Sequence, residues 1–202
     1  PFFSIIIPVK SLNEYVHETV GELIKQRFDL WELFIVTNAD EPNPWLEDGR
    51  IHVFPSGRVA PGRKRDIAAA NVVGEVIVFL DDDSYPASDY LINAKQVFDS
   101  ASICALGGPG VTPESDSFLQ RSSGCVFLSK YSGGHPERYR GIGPRKIVSD
   151  WPSVNLMIRT SVFQRVGGFG TDIWPGEDTV LCSKLNNAHF DIVYEPSVLV
   201  FH

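Results

Sequence analysis

A chain of 202 residues with 43 % hydrophobic content has enough apolar side chain to bury a sizeable core, which excludes disorder and leaves one domain or two tightly joined halves. A net charge of −7 excludes nucleic acid as the main partner, because phosphate backbones require a basic stripe. Cys104, Cys125 and Cys182 show no CxxC spacing, so neither a disulfide framework nor a zinc site is indicated and a reduced, cytoplasmic setting is expected. No apolar stretch approaches the roughly 20 residues of a membrane span, and the N-terminus lacks the pattern of a signal peptide. The chain opens within an apolar run and stops at His202 just after another, the pattern of a piece of a longer protein. Peripheral attachment to the inner face of a membrane through residues outside this chain stays open.

In chain order, residues 3–9 read as a strand, and Asn13 opens a helix to about Arg27 with apolar Val16, Val20, Leu23 and Ile24. Residues 33–36 and 51–54 are β-like, residues 63–73 are alanine-rich and helical up to Gly74, and residues 76–80 form a continuous apolar strand. Strands of this kind alternating with helices predict a mostly parallel, Rossmann-like sheet covered on both faces. No GxGxxG turn follows the first strand, which disfavours dinucleotide chemistry. The composition changes near Gly107-Gly108-Pro109-Gly110, and residues 133–146 read as a long basic loop, either a substrate lid or a surface excursion. Beyond it, residues 154–158 predict a strand, 161–166 a short helix and 167–170 a turn. A helix from Glu177-Asp178 is expected to bury Val180, Leu181 and Leu185, and a last strand over 198–201 is expected to run beside the sheet.

Three acids, Asp81-Asp82-Asp83, stand at the exit of the strand over 76–80. Adjacent carboxylates repel one another and would repel phosphate, so a divalent cation with oxygen ligands, Mn2+ or Mg2+, explains their company, as does a plain solvated turn. Ligands of open α/β sheets collect beyond the carboxyl ends of strands, which favours a nucleoside diphosphate there. Glu177-Asp178 either stabilises a helix start or presents a general base to an attacking hydroxyl. Trp174 offers a flat face suited to a sugar ring, and His202 is either a bland histidine or a nitrogen ligand for the metal. Arg63-Lys64-Arg65 lies near a helix start, as an anion site or a solvated basic turn.

Together these residues resemble a family 2 glycosyltransferase of the GT-A fold, over essentially the whole chain. Ser4-Ile5-Ile6-Ile7-Pro8-Val9 with Asn13-Glu14 resembles the opening strand, Arg65-Asp66 the basic pair of the nucleotide-side helix, and Leu80-Asp81-Asp82-Asp83 the DxD element. Val166-Gly167-Gly168-Phe169, Gly176-Glu177-Asp178 and Phe201-His202 resemble the GGF, xED and terminal histidine elements. The resemblance implies a GT-A sheet with a nucleotide-binding half (1–107) and a smaller acceptor-binding half (108–202) in one domain. It implies transfer of a sugar, with inversion, from a nucleoside diphosphate sugar to an acceptor hydroxyl in glycan or glycolipid synthesis. Asp178 would be the base; Asp83, Asp81 and His202 would hold Mn2+ or Mg2+. Pro8, Val9, Glu14, Asn38, Arg65, Asp81 and Asp82 would contact the nucleotide sugar, and Trp151, Asn155, Trp174 and Glu177 a glycan or lipid-linked acceptor. A UDP-sugar is the first expectation, although Thr37-Asn38 stands where the family commonly has an acidic pair that reads the base, and Lys10 replaces an aromatic or polar residue. The alternatives are a sugar-1-phosphate nucleotidyltransferase, whose Gly-rich loop after the first strand is missing, and a catalytically silent nucleotide- or glycan-binding module.

Overall fold

The computed structural model describes residues 2–113 and 135–202. Its centre is made by β1 (Phe3–Pro8), β2 (Trp31–Thr37), β3 (Ile51–Pro55) and β4 (Val76–Leu80), parallel neighbours in the order β3-β2-β1-β4. Every residue of β1, β2 and β4 is buried, as strands covered on both faces must be. Helix α1 (Glu14–Ile24) begins where the Asn13 Oδ1 accepts from the Val16 amide at 2.9 Å, and it buries Val16, Val20 and Leu23 while Ile24 turns outward at its end. Helix α2 spans Pro61–Ala69 and so starts two residues earlier than expected. Pro61 has its φ pre-set and no N–H to lose at that position.

The chain continues through β5 (Tyr85–Pro86), α3 (Tyr90–Phe98), β6 (Ala105–Gly107) and β7 (Gly110–Val111). After a 3-10 turn at Pro136–Arg138 come β8 (Lys146–Val148), β9 (Asn155–Arg159), α4 (Thr160–Arg165), α5 (Glu177–Asn187), β10 (Ile192–Tyr194) and β11 (Val200–Phe201). Among the described residues the main sheet has eight strands in the order β3-β2-β1-β4-β9-β6-β10-β8. Six run one way, while β9 and β8 are antiparallel to their neighbours, so the sheet is mostly parallel. Helices α1 and α3 cover one face, on Ile5, Ile7, Leu33 and Val78. Helices α2, α4 and α5 cover the other, on Ile6, Phe34, Ile77 and Phe79. Each fully buried side chain of this size is worth about 1.5–3 kcal/mol, which makes the two layers the main source of stability.

The last strand departs from expectation. Rather than extending the large sheet, β11 pairs with β5 and β7 in a separate three-stranded sheet. Strand β5 begins two residues after Asp83, and Phe201 is in register with Tyr85, so His202 is delivered to the acidic loop by strand pairing. The crossing of the two sheets is tight. A Cβ on Gly107 would lie 2.3 Å from the Trp151 ring, and one on Gly108 would lie 1.7 Å from the Val198 carbonyl oxygen, so only glycine fits at either position.

Candidate active site

A cleft of about 1030 Å³ opens at the carboxyl ends of the parallel strands, where the loops after β1, β2, β3 and β4 converge. It is the position at which open α/β sheets bind ligands, since consecutive parallel strands diverge there into separate connections. Pro8 and Val9 come from the first loop, Asn38 from the second, Arg58 and Val59 from the third, and Asp81, Asp82 and Asp83 from the fourth. The opposite wall is Trp174, Pro175, Gly176, Glu177 and Asp178, and His202 closes one end.

The three acids have different partners. Asp81 Oδ1 accepts from Arg65 Nη2 at 2.6 Å, Asp82 Oδ2 from Asn13 Nδ2 at 3.0 Å, and Asp83 Oδ1 lies 3.3 Å from His202 Nε2. Burial pushes the Asp81 carboxyl above its usual range; Arg65 opposes that, and neighbouring Asp178 adds to it. The hydrogen bond from His202 holds Asp83 below the usual carboxylate range, with burial acting in the other direction. The same bond raises His202, again against burial and helped by Asp83, Asp81 and Asp82. Asp81, Asp83 and His202 bring two carboxylate oxygens and an imidazole nitrogen within 4.8 Å of one another. That donor set fits a hard divalent cation such as Mn2+ or Mg2+, which would relieve the crowding of like charges seen at Asp81.

Arg65 organises the wall between the acids and α5. With 2 % of its side chain exposed, it reaches Asp81 with one nitrogen and Glu177 Oε1 with the other at 3.3 Å, over the Phe169 ring. Gly176 precedes α5 with φ 120°, a backbone conformation that side chains other than glycine's adopt at a cost of order 1–3 kcal/mol. Glu177 bonds back to the Gly176 amide at 3.1 Å, so the helix start is served by Glu177. Asp178 is half-buried, lines the cleft, and keeps its Oδ1 buried with no hydrogen-bond partner among the described residues. An acceptor in that state costs about 1–3 kcal/mol unless water or a ligand reaches it, and the cleft that Asp178 lines gives either one access.

The sequence matches the model of glycosyl transferase family 2 over residues 4–167. The chain belongs to this family. It is 28 % identical over 147 residues to the pre-mycofactocin glycosyltransferase of Mycobacterium tuberculosis, a match covering 70 % of this chain and 30 % of that protein. It is 26 % identical over 107 residues to the poly(ribitol-phosphate) beta-N-acetylglucosaminyltransferase TarS of Staphylococcus aureus, covering 48 % and 19 % respectively. The chain's match thus spans less than a third of the length of these curated relatives. Among solved structures, the mannosyltransferase PcManGT of Pyrobaculum calidifontis in complex with GDP-Man and Mn2+ has a TM-score of 0.72 at 17 % identity, covering 100 % of this chain and 56 % of that one. TarS 1-349 in complex with UDP-GlcNAc gives 0.69 at 17 % identity, covering 100 % and 58 %. These likenesses establish the GT-A architecture.

Within this family 2 chain, Pro8, Val9, Asn38, Arg65, Asp81, Asp82, Asp83, Trp174, Glu177, Asp178 and His202 are brought together in the one cleft. Glu14 is not among its lining residues; as the first residue of α1 it points to solvent. Trp151 and Asn155, expected at the acceptor, stand in the core. Trp151 is 1 % exposed, packs on Tyr194 and donates to the Gly108 carbonyl at 2.9 Å. Asn155 is fully buried, accepting from the Tyr90 hydroxyl at 2.8 Å and donating to the Val198 carbonyl at 2.8 Å. Their polar atoms are committed to the joint between the two sheets and offer nothing to an acceptor. Glu177 is 6 % exposed and paired with Arg65, so it shapes the wall more than it faces the space. Of the long loop expected over 133–146, residues 133 and 134 lie outside the described residues, as does Cys125; the rest holds the 3-10 turn and enters β8. Arg58, Ser153 and Asp172 line the cleft without having been anticipated. For Arg58 the signal was available, because any loop between a parallel strand and the next helix opens on this edge of the sheet.

Proposed function

We propose that this chain transfers a sugar from a nucleoside diphosphate sugar to an acceptor hydroxyl, in glycan or glycolipid synthesis, with inversion at the anomeric carbon. The observation that carries this reading is the meeting, in one cleft, of the Asp81, Asp83 and His202 donor set with an Asp178 carboxylate whose Oδ1 has no hydrogen-bond partner among the described residues. Membership of the family, and the GDP-Man and UDP-GlcNAc named in the two related structures, support a nucleotide sugar as donor.

Asp81, Asp83 and His202 would hold Mn2+ or Mg2+, whose charge, when bound, stabilises the departing diphosphate. Asp82, fixed by Asn13, and the loops at Pro8-Val9 and Asn38 face the nucleoside. Asp178 takes the proton of the acceptor hydroxyl as its oxygen bonds to the anomeric carbon. The bond from that carbon to the diphosphate oxygen breaks on the opposite side, the electron pair leaving with the nucleoside diphosphate, and the configuration inverts. Arg65 keeps Asp81 in place and pairs with Glu177, so that the Glu177 charge does not add to the carboxylates that repel the donor. Trp174, 66 % exposed on the cleft wall, offers its face to a sugar ring. We assign residues 1–202 to one catalytic domain, with the nucleotide on 1–107 and the acceptor on 108–202.

Turnover decides among the readings. Purified protein with Mn2+ and a panel of nucleotide sugars and acceptors should release nucleoside diphosphate and lose that activity in chelator. Pyrophosphate release from nucleoside triphosphate and sugar phosphate would instead indicate a nucleotidyltransferase. Tight donor binding without hydrolysis or transfer across a broad panel would indicate a silent module.

A further inference from the structure

Arg58 lines the cleft and has no part in the steps above. Of the lysines and arginines among the described residues, all but Lys10, Arg58, Arg63 and Arg140 hold a carboxylate, a backbone carbonyl or an aromatic ring. The chain carries 25 acidic residues against 18 basic ones, so a shortage of carboxylates does not explain why these stand free. Lys10 and Arg58 are the two that line the cleft. Lys10 follows Pro8-Val9, and its carbonyl joins the loop after β1 to Asn38, on the side assigned to the nucleoside. Arg58 belongs to the loop after β3, and its guanidinium is always charged and shaped to meet a phosphate or a carboxylate with two parallel N–H bonds.

The two ends of that loop fix where Arg58 stands. Ser56 gives both its amide and its hydroxyl to the Thr37 carbonyl, at 2.9 and 3.0 Å, which pins the loop to the end of β2. Two strand spacings, about 10 Å, separate that point from β4 and its acids. At the other end Gly62 abuts the wall that carries Asp178: a Cβ there would lie 3.3 Å from the Glu177 Cβ and 3.4 Å from the Phe169 Cβ. Arg58 and Val59 are exposed and line the cleft, so the loop forms its rim between the nucleoside side and Asp178. A donor whose diphosphate sits at Asp81, Asp83 and His202 occupies the floor, and a second substrate that reaches Asp178 from solvent passes the rim. Asp172, also exposed and without a partner among the described residues, lines the cleft two residues before Trp174. Its charge repels an anion from that side and leaves Arg58 as the place to hold one.

We propose that Arg58 determines acceptor specificity by binding an anionic group, a phosphate or a carboxylate, that the acceptor carries near the hydroxyl deprotonated by Asp178. The acceptor is then a phosphorylated or acidic glycan rather than a neutral one. This rests on the nucleotide-sugar reading above. The test is calorimetry on protein saturated with Mn2+ and whichever of UDP and GDP binds, titrated with probes paired by charge: glucose 6-phosphate against glucose, and methyl glucuronoside against methyl glucoside. In the wild type at least one charged probe should bind about tenfold more tightly than its neutral partner, the low end for a charge-assisted contact because Arg58 is exposed. Comparing the two pairs tells phosphate from carboxylate. In Arg58→Gln the ratio should fall to within about threefold while the Kd of the diphosphate holds, because only the discriminating contact is lost. Arg58→Lys should restore part of the ratio, since it returns the charge without the fork. Charged probes that bind the wild type no better than neutral ones, whether both bind or neither does, would overturn the proposal. So would an Arg58→Gln variant that keeps the preference, or one that loses diphosphate affinity to the same degree and so places Arg58 at the donor. Failure of both diphosphates to bind the wild-type protein would overturn the nucleotide-sugar reading itself and this inference with it.

Discussion

The roles of single side chains separate by whether they act on the donor or on the acceptor. Asp178 Oδ1 has no hydrogen-bond partner among the described residues, so Asp178→Asn should leave affinity for Mn2+ and nucleoside diphosphate nearly unchanged while turnover falls by about 10²–10⁴-fold, the usual loss when a general base is removed. Steady-state kinetics beside calorimetry checks this, and near-normal turnover would move the base elsewhere. Arg65 behaves differently because it is buried between two carboxylates. Arg65→Met strands Asp81 and Glu177 without their counter-charge, and removing one partner of a buried pair costs about 3–5 kcal/mol. The urea midpoint should therefore drop, and donor affinity with it. A variant as stable as the wild type would show that the Arg65 bridge is not needed.

At the scale of elements, the supports of the cleft lie in contacts that join distant segments. Asp66 on α2 accepts from the Phe169 and Gly170 amides, both at 2.9 Å, and Lys184 on α5 donates to the Gly168 and Phe169 carbonyls at 2.9 and 2.7 Å. The turn between α4 and α5 is thus held from both sides. Asp66→Ala removes two charge-assisted bonds and should cost about 2–4 kcal/mol by chemical denaturation. Asn155→Ala tests the buried place of that residue. It strands the Tyr90 hydroxyl and the Val198 carbonyl in the core, so stability should fall by about 2–3 kcal/mol with the KM for the acceptor little changed. A raised acceptor KM at unchanged stability would restore Asn155 to the acceptor site. The sequence made β1, β2 and β4 legible because their apolar runs are long enough to signal burial on both faces. Strands β6, β8 and β10, three residues each, carry no period to read, and no local pattern announces that β9 enters antiparallel between β4 and β6. Trp151 and Asn155 were misplaced for a related reason: their burial depends on Gly107, Gly108 and Val198, which are remote in the chain.

Across the whole molecule, one sheet serves both stretches of the chain, because β9 from the second lies between β4 and β6 of the first. The acids and the xED wall were legible as motifs, yet their meeting depends on β11 leaving the main sheet to pair with β5 and carry His202 to Asp83. No helix among the described residues is long and apolar enough to cross a membrane. What this arrangement requires of its ligands is coupling: a diphosphate enters among three acids only with a cation that offsets their charge, and the cation binds best with the diphosphate completing its shell. Titration of UDP and GDP into the protein, with Mn2+ and then in chelator, and repeated on Asp83→Ala, measures that coupling. The expected result is tight binding of at least one diphosphate with Mn2+, at least about tenfold weaker binding in chelator, and weak binding to Asp83→Ala under both conditions. Binding as tight in chelator as with Mn2+, and untouched by Asp83→Ala, would contradict the metal-bridged donor site.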